Sequence, residues 1–202
     1  KSRIIHMLRD PRDVARSSVI MGWAGLSYYG VNHWMVTEQR WDAADFSTDQ
    51  VLALKFEDLM ADLESRLTEV CDFLGVPFST KMLSYHQNTT YGPPDPKLAE
   101  HWRRTASPHE LALLEGKCGP LIRARGYASG PVPHFPGRME SASLALRNNI
   151  GRRRASLRRY GLPLLGVSKL SHWVLETSLH RHFLLHLYSS IAQSFKLLSF
   201  LE

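Results

Sequence analysis

Residues 4–17 read Ile4-Ile5-His6-Met7-Leu8-Arg9-Asp10-Pro11-Arg12-Asp13-Val14-Ala15-Arg16-Ser17, an apolar run that meets a helix-start signal within two residues. Five residues are too few for a helix. With charge on either side, the run predicts a strand buried on both faces of a parallel sheet. Arg9 ends it. Asp10 then offers an N-cap carboxylate, Pro11 a residue suited to the first helical position, and Asp13 a second acid at the third. A strand that feeds directly into a helix, in a chain of 202 residues, points to one packed domain of the α/β or α-rich class.

Working outward, Trp34, Glu38 and Trp41 recur at helical spacing and predict a second helix packed on that unit. Val51 to Phe56 reads as another buried strand. Asp58 is the expected cap of the helix after it, whose apolar positions Leu59, Leu63, Leu67, Val70, Cys71 and Leu74 follow a 3.6 period up to Gly75 and Pro77. Tyr91 to Lys97 is a Pro- and Gly-rich loop. Ser107-Pro108-His109-Glu110 is a capping box that opens a helix carrying Leu111, Leu114, Cys118, Leu121 and Ile122 and ending by Gly126. Gly and Pro then cluster from Ser129 to Arg138. The expected organisation is a domain over residues 1–128, a linker over 129–139 and a basic, amphipathic helical tail over 140–202.

Charge follows the same division. The 202 residues carry a net charge of +6, yet residues 1–139 hold 16 basic and 16 acidic side chains, and residues 140–202 hold 9 and 3. The excess therefore belongs to the tail, and any role in binding anionic polymers or surfaces is local to it. Cys71 and Cys118 are too few and too far apart for a disulfide framework or a Cys-rich metal site, and both lie on apolar helix faces as small core residues. A reducing, cytoplasmic compartment is the expectation. No stretch approaches the roughly 18 uninterrupted apolar residues of a membrane span. The first residue is Lys1, followed at once by a strand, which suggests a chain incomplete at its N terminus.

A strand that ends in Arg and turns into a helix start aims backbone N–H groups and the positive helix end at one spot, with a guanidinium beside it. Such a place suits a phosphate. Ser17, four residues after Asp13 on the same face, offers a hydroxyl to the same anion. The plain structural alternative is that Arg9 pairs with Asp13 or Asp10 and Ser17 faces solvent.

The segment RDPRDVARS after the strand IIHML resembles the 3′-phosphate-binding motif of sulfotransferases that use 3′-phosphoadenylyl sulfate (PAPS), in which the first Arg and a Ser eight positions later hold the 3′-phosphate. Arg9 and Ser17 match that spacing. The resemblance continues through LKFEDLMADLESRLTEVCDFLGVPF, and then through the closing loop, Trp-Arg pair and last helix of STKMLSYHQNTTYGPPDPKLAEHWRRTASPHELALLEGKCGPLIRARGY. It covers roughly residues 1–127 and is nearer to the bacterial-type group than to the cytosolic animal enzymes. It implies a P-loop-NTPase-like three-layer fold around a central parallel sheet. The implied reaction is in-line transfer of a sulfuryl group from PAPS to a hydroxyl or amine of a carbohydrate, lipid or small-molecule acceptor, with a base to activate the acceptor. Arg9 and Ser17 would grip the 3′-phosphate, Lys97, Arg103 and Arg104 would close over the nucleotide, and Tyr91 or Trp102 would line its adenine. Core packing is the alternative role for Trp102.

Three departures qualify the resemblance. The family's 5′-phosphosulfate loop and its acceptor-activating base should precede the first strand and are not in this sequence, so no catalytic residue is assigned and the expectation is a 3′-phosphate half-site. Phe56 stands where the family usually has Tyr, which keeps an aromatic surface near the nucleotide without a hydroxyl. The Arg-Lys-Gly that some members carry before the loop Trp is not reproduced, and Lys97 is the nearest cation.

In the tail, His180, His182 and His186 set imidazoles at zinc-like spacing, but no convincing third ligand accompanies them and no metal site is read. The arginines between residues 147 and 159 are a candidate contact for an anionic membrane or polymer. No nucleic-acid module or stacking platform accompanies them. The competing function class is an inactive, sulfotransferase-like binding protein attached through this tail.

Overall fold

The computed structural model describes residues 2–89, 92–128 and 130–174, with side chains as far as Gly161 apart from that of Asn88. Strand β1 (Ile4–Leu8) leads into α1 (Pro11–Ile20), and a one-turn α2 (Ser27–Gly30) precedes α3 (Asn32–Asp42). Strand β2 (Val51–Lys55) then returns beside β1. The two pair in parallel, from Ile4 opposite Val51 to Leu8 opposite Lys55, a βαβ unit with three helices in its crossover. Helices α4 (Phe56–Ala61) and α5 (Leu63–Leu74) follow β2. A run of 3-10 turns over Thr80–Asn88 leads toward α6 (Trp102–Thr105), α7 (Pro108–Ala124) and α8 (Arg138–Val174).

The start of α1 forms as its sequence dictates. The Asp10 side chain accepts from the Arg12 N–H, and Pro11 takes the first helical position, where it has no N–H to lose. The capping box of α7 behaves likewise, with Ser107 accepting from the Glu110 N–H. Gly75 closes α5 at φ 72°, a left-handed conformation that favours glycine.

Three expectations change. The sheet is parallel, but β1 is not buried on both faces: Ile5 is 37% and Met7 47% exposed. His6 stacks on Trp41 of α3 with ring centroids 3.8 Å apart, whereas Met7 stays half exposed although its partner across the sheet, Leu54, is buried. The helix expected to start at Asp58 is two helices. Lys55 occupies the N-cap position of α4, the chain breaks at Asp62, and the Asp62 carboxylate accepts from the Ser65 N–H to start α5. The third change concerns the tail. One compact unit spans residues 1–153 and a second begins at Arg154, so the first half of α8 goes with the body. Leu144 is buried, and the Asn148 side-chain oxygen accepts from the Gly25 and Leu26 N–H groups. Beyond Arg154, α8 kinks at Gly161, at φ 70°.

The core lies where α1, α3 and α7 meet. Ala15, Val31, Trp34, Leu114, Cys118 and Ile122 form its buried cluster. Cys71 and Cys118 are both free and buried, and burial pushes the Cys118 thiol up to about 12, away from thiolate chemistry at neutral pH. Among the described residues no helix is long and apolar enough to cross a membrane.

Candidate functional site

The end of β1 delivers Arg9 to the point where α1 begins, β2 turns into α4, and the turn at Pro96–Leu98 crosses above. Its guanidinium lies over the Phe56 ring at 4.4 Å from the centroid and donates to the Leu98 carbonyl at 3.0 Å. Neither neighbouring acid pairs with it. Asp10 is taken by Arg12, whose Nε and terminal nitrogen donate to its two carboxylate oxygens at 2.8 and 2.7 Å. Asp13 accepts from the Trp102 N–H at 2.8 Å. Arg9 thus has no carboxylate partner among the described residues, and its Nε is buried without a hydrogen bond. A cation fixed by an aromatic face and one carbonyl keeps most of its donor capacity for an anion.

The backbone part of the expected anion site is different. The Asp10 carboxylate takes the Arg12 N–H, and the Asp10 carbonyl takes those of Asp13 and Val14 at 3.0 and 3.1 Å. The first turn of α1 therefore has no free N–H to offer, because the residue that starts the helix also fills its end. Binding falls to side chains. Ser17, half-buried two turns along α1, has no hydrogen bond from its hydroxyl among the described residues, whereas its neighbour Ser18 donates to the Val14 carbonyl.

The other candidates divide. Phe56 sits directly under Arg9, so the aromatic surface kept at this position holds the guanidinium. Lys97 is exposed beside the Leu98 carbonyl that Arg9 reaches, and no protein group takes its ammonium among the described residues. Arg104 donates to the Lys97 carbonyl at 2.7 Å and straps the turn down. Arg103 instead pairs with Glu100, which it holds below the ordinary carboxylate range. Trp102 is 7% exposed and carries the Arg12 and Arg103 guanidinium groups at 3.8 and 4.6 Å, which leaves little of its ring to meet a base. Tyr91 lies outside the described residues, as do His180, His182 and His186.

Sequence reasoning did not find the supports of this site. Glu57 accepts from the Asp10 N–H at 2.9 Å and from the Tyr127 hydroxyl at 3.1 Å, which joins the start of α1 to the segment after α7. Burial, with the Glu57 charge beside it, raises the Tyr127 phenol above its ordinary value. A cavity of about 290 Å³ opens elsewhere, lined by Arg16, Ser27, Tyr28, Ser107, His109 and Arg147 among others, and none of the described residues proposed for the nucleotide borders it.

A parallel βαβ unit whose first strand ends in an arginine without a carboxylate partner among the described residues defines an α/β protein with a cationic site at its strand-to-helix turn. Residues 1–80 match the family model described as "Sulfotransferase family", so the resemblance read from RDPRDVARS holds over β1 through α5. Two solved structures are similar. The sulfotransferase domain of the Synechococcus PCC 7002 olefin synthase is 25% identical, covering 57% of this chain and 48% of that one at a TM-score of 0.47. The sulfotransferase domain from the curacin biosynthetic pathway is 19% identical, covering 63% of this chain and 54% of that one at a TM-score of 0.43. The chain spans about half the length of these domains. No curated protein matches the sequence.

Proposed function

We propose that this chain contributes the nucleotide 3′-phosphate site of a PAPS-dependent sulfotransferase that sulfates a hydroxyl or amine acceptor. The observation that carries the proposal is the Arg9 guanidinium: buried at Nε, set on Phe56, and without a carboxylate partner among the described residues, since Arg12 takes Asp10 and the Trp102 N–H takes an oxygen of Asp13. The side chains fit the group. Arg9 supplies planar donors suited to a phosphate, Ser17 a hydroxyl on the helix that follows it, and Lys97 an exposed positive charge on the turn above. PAPS, when bound, supplies the sulfuryl group and leaves as adenosine 3′,5′-bisphosphate. The residues here orient the nucleotide through its 3′-phosphate and distinguish it from nucleotides that lack one. The P-loop-like three-layer arrangement and the carbohydrate, lipid or small-molecule acceptor class belong to this proposal as well.

Calorimetry on the 202-residue chain tests it. Arg9→Ala should weaken adenosine 3′,5′-bisphosphate by about 10- to 100-fold, the effect of removing a charge-assisted contact of about 1.5–3 kcal/mol. Adenosine 5′-phosphate should bind the variant and the parent alike. Equal losses for both nucleotides would refute the assignment.

A further inference from the structure

Away from Arg9, three side chains from three segments converge. His109 is the second residue of α7, His134 lies in the stretch between α7 and α8, and Glu140 is in the first turn of α8. One oxygen of Glu140 lies 2.7 Å from His134 Nε2 and the other 3.3 Å from His109 Nε2. The two imidazole centroids are 5.3 Å apart, and one ligand atom from each of the three residues lies within 4.8 Å of the others.

We propose that His109, His134 and Glu140 bind a divalent transition-metal ion of the zinc type. Metal–ligand bonds of about 2.0–2.1 Å in a tetrahedron set neighbouring ligand atoms about 3.3 Å apart. The His109–Glu140 separation of 3.3 Å already equals that value, the His134–Glu140 separation of 2.7 Å is shorter, and small χ rotations bring the three ligand atoms to the required spacing. Two imidazoles and a carboxylate form a donor set that selects zinc, cobalt, nickel or copper over magnesium and calcium. The backbone beneath the ligands is fixed. The Ser107 cap holds the start of α7, and the Ser141 N–H donates to the Gly137 carbonyl at the start of α8. The His134 N–H donates to the Ala112 carbonyl at 2.9 Å, while the His134 carbonyl lies so close to α7 that a Cβ on Gly116 would meet it at 2.2 Å. Glycine at position 116 is what lets this segment lie on the helix. His109 is 62% exposed along its side chain, so an ion would be reached from solvent and would keep a position open to water. Bound there, it would staple the segment after α7 and the start of α8 onto α7.

Untagged protein titrated with zinc chloride in a calorimeter tests the site. One equivalent should bind, and His134→Ala, His109→Ala and Glu140→Gln should each weaken it by at least about tenfold. A variant with His180, His182 and His186 all changed to Ala should keep that equivalent, and excess magnesium should not displace it. Zinc should also raise the thermal midpoint of the parent and leave that of His134→Ala unmoved. Absence of saturable binding overturns the proposal. So does unchanged affinity in both His109→Ala and His134→Ala, or loss of the site in the triple tail variant. His109 is exposed and its replacement by Ala leaves the core intact, so one variant reads out even if another folds poorly.

Discussion

Asp13 sits in the first turn of α1 with one oxygen on the Trp102 N–H and the other buried without a hydrogen-bond partner among the described residues. Burial is the main cause that raises its carboxyl above the ordinary value, against the Trp102 bond and the Arg9 charge, which lower it. A raised carboxyl binds its proton more tightly in the fold than in the unfolded chain. Its favourable contribution is therefore complete below the unfolded value of about 3.8 and is lost as pH rises through the folded one. Asp13→Asn keeps an oxygen for Trp102 and removes the titration. Urea unfolding at several pH values should show the variant gaining on the parent as pH rises from the acid limit toward neutrality. Parallel profiles would contradict the assignment. The same side chain explains why the sequence leaves the role of Arg9 open: spacing allows pairing with Asp10 or Asp13 as well as a free guanidinium. The choice is made by Arg12 and by Trp102, the latter 89 residues away in sequence from Asp13.

At the level of elements, the ends that proved legible were those set by local chemistry. Asp10 with Pro11, Ser107 with Pro108 and Gly75 each satisfy orphan backbone groups within a few residues, so their sequence is their structure. The break at Asp62 was hidden because Leu59, Leu63, Leu67 and Val70 keep a helical period across it. What interrupts the helix is a side chain competing for a backbone donor, the Asp62 carboxylate capturing the Ser65 N–H at 3.1 Å. Asp62→Ala should therefore cost about 1 kcal/mol, the usual loss for an N-cap, read as a lowered urea midpoint. An unchanged midpoint would mean that packing alone places the break. Strand burial is not legible in the sequence for another reason. Whether Met7 is covered depends on which elements come to rest on its side of the sheet, and the composition of β1 carries no information about that.

Over the whole molecule, the candidate site was legible where its residues share one segment and invisible where the fold assembles them. Arg9 and Ser17 lie eight residues apart in one motif, whereas the Leu98 carbonyl and the Glu57 clamp come from 89 and 47 residues away. The same rule governs what holds the body together. Glu38, buried in α3, accepts from Arg125 Nε at 2.6 Å and lies 3.3 Å from His6 Nε2. Arg125 also donates to the Glu38 carbonyl and to Asp42. One buried carboxylate thus joins the first strand, the crossover helix and the turn after α7. Its charge is tolerated because a guanidinium shares its burial, and removing only that partner leaves an uncompensated carboxylate inside the protein. Arg125→Met should destabilise the chain by about 3–5 kcal/mol in urea unfolding, well beyond the loss of an exposed ion pair. Adding Glu38→Gln to that variant should recover part of the loss, because the stranded charge goes with it, and the double-mutant cycle should show strong coupling. A loss under about 1 kcal/mol for Arg125→Met, or independent effects of the two changes, would show that the body is held by its apolar core alone and that Glu38 is bystander to it.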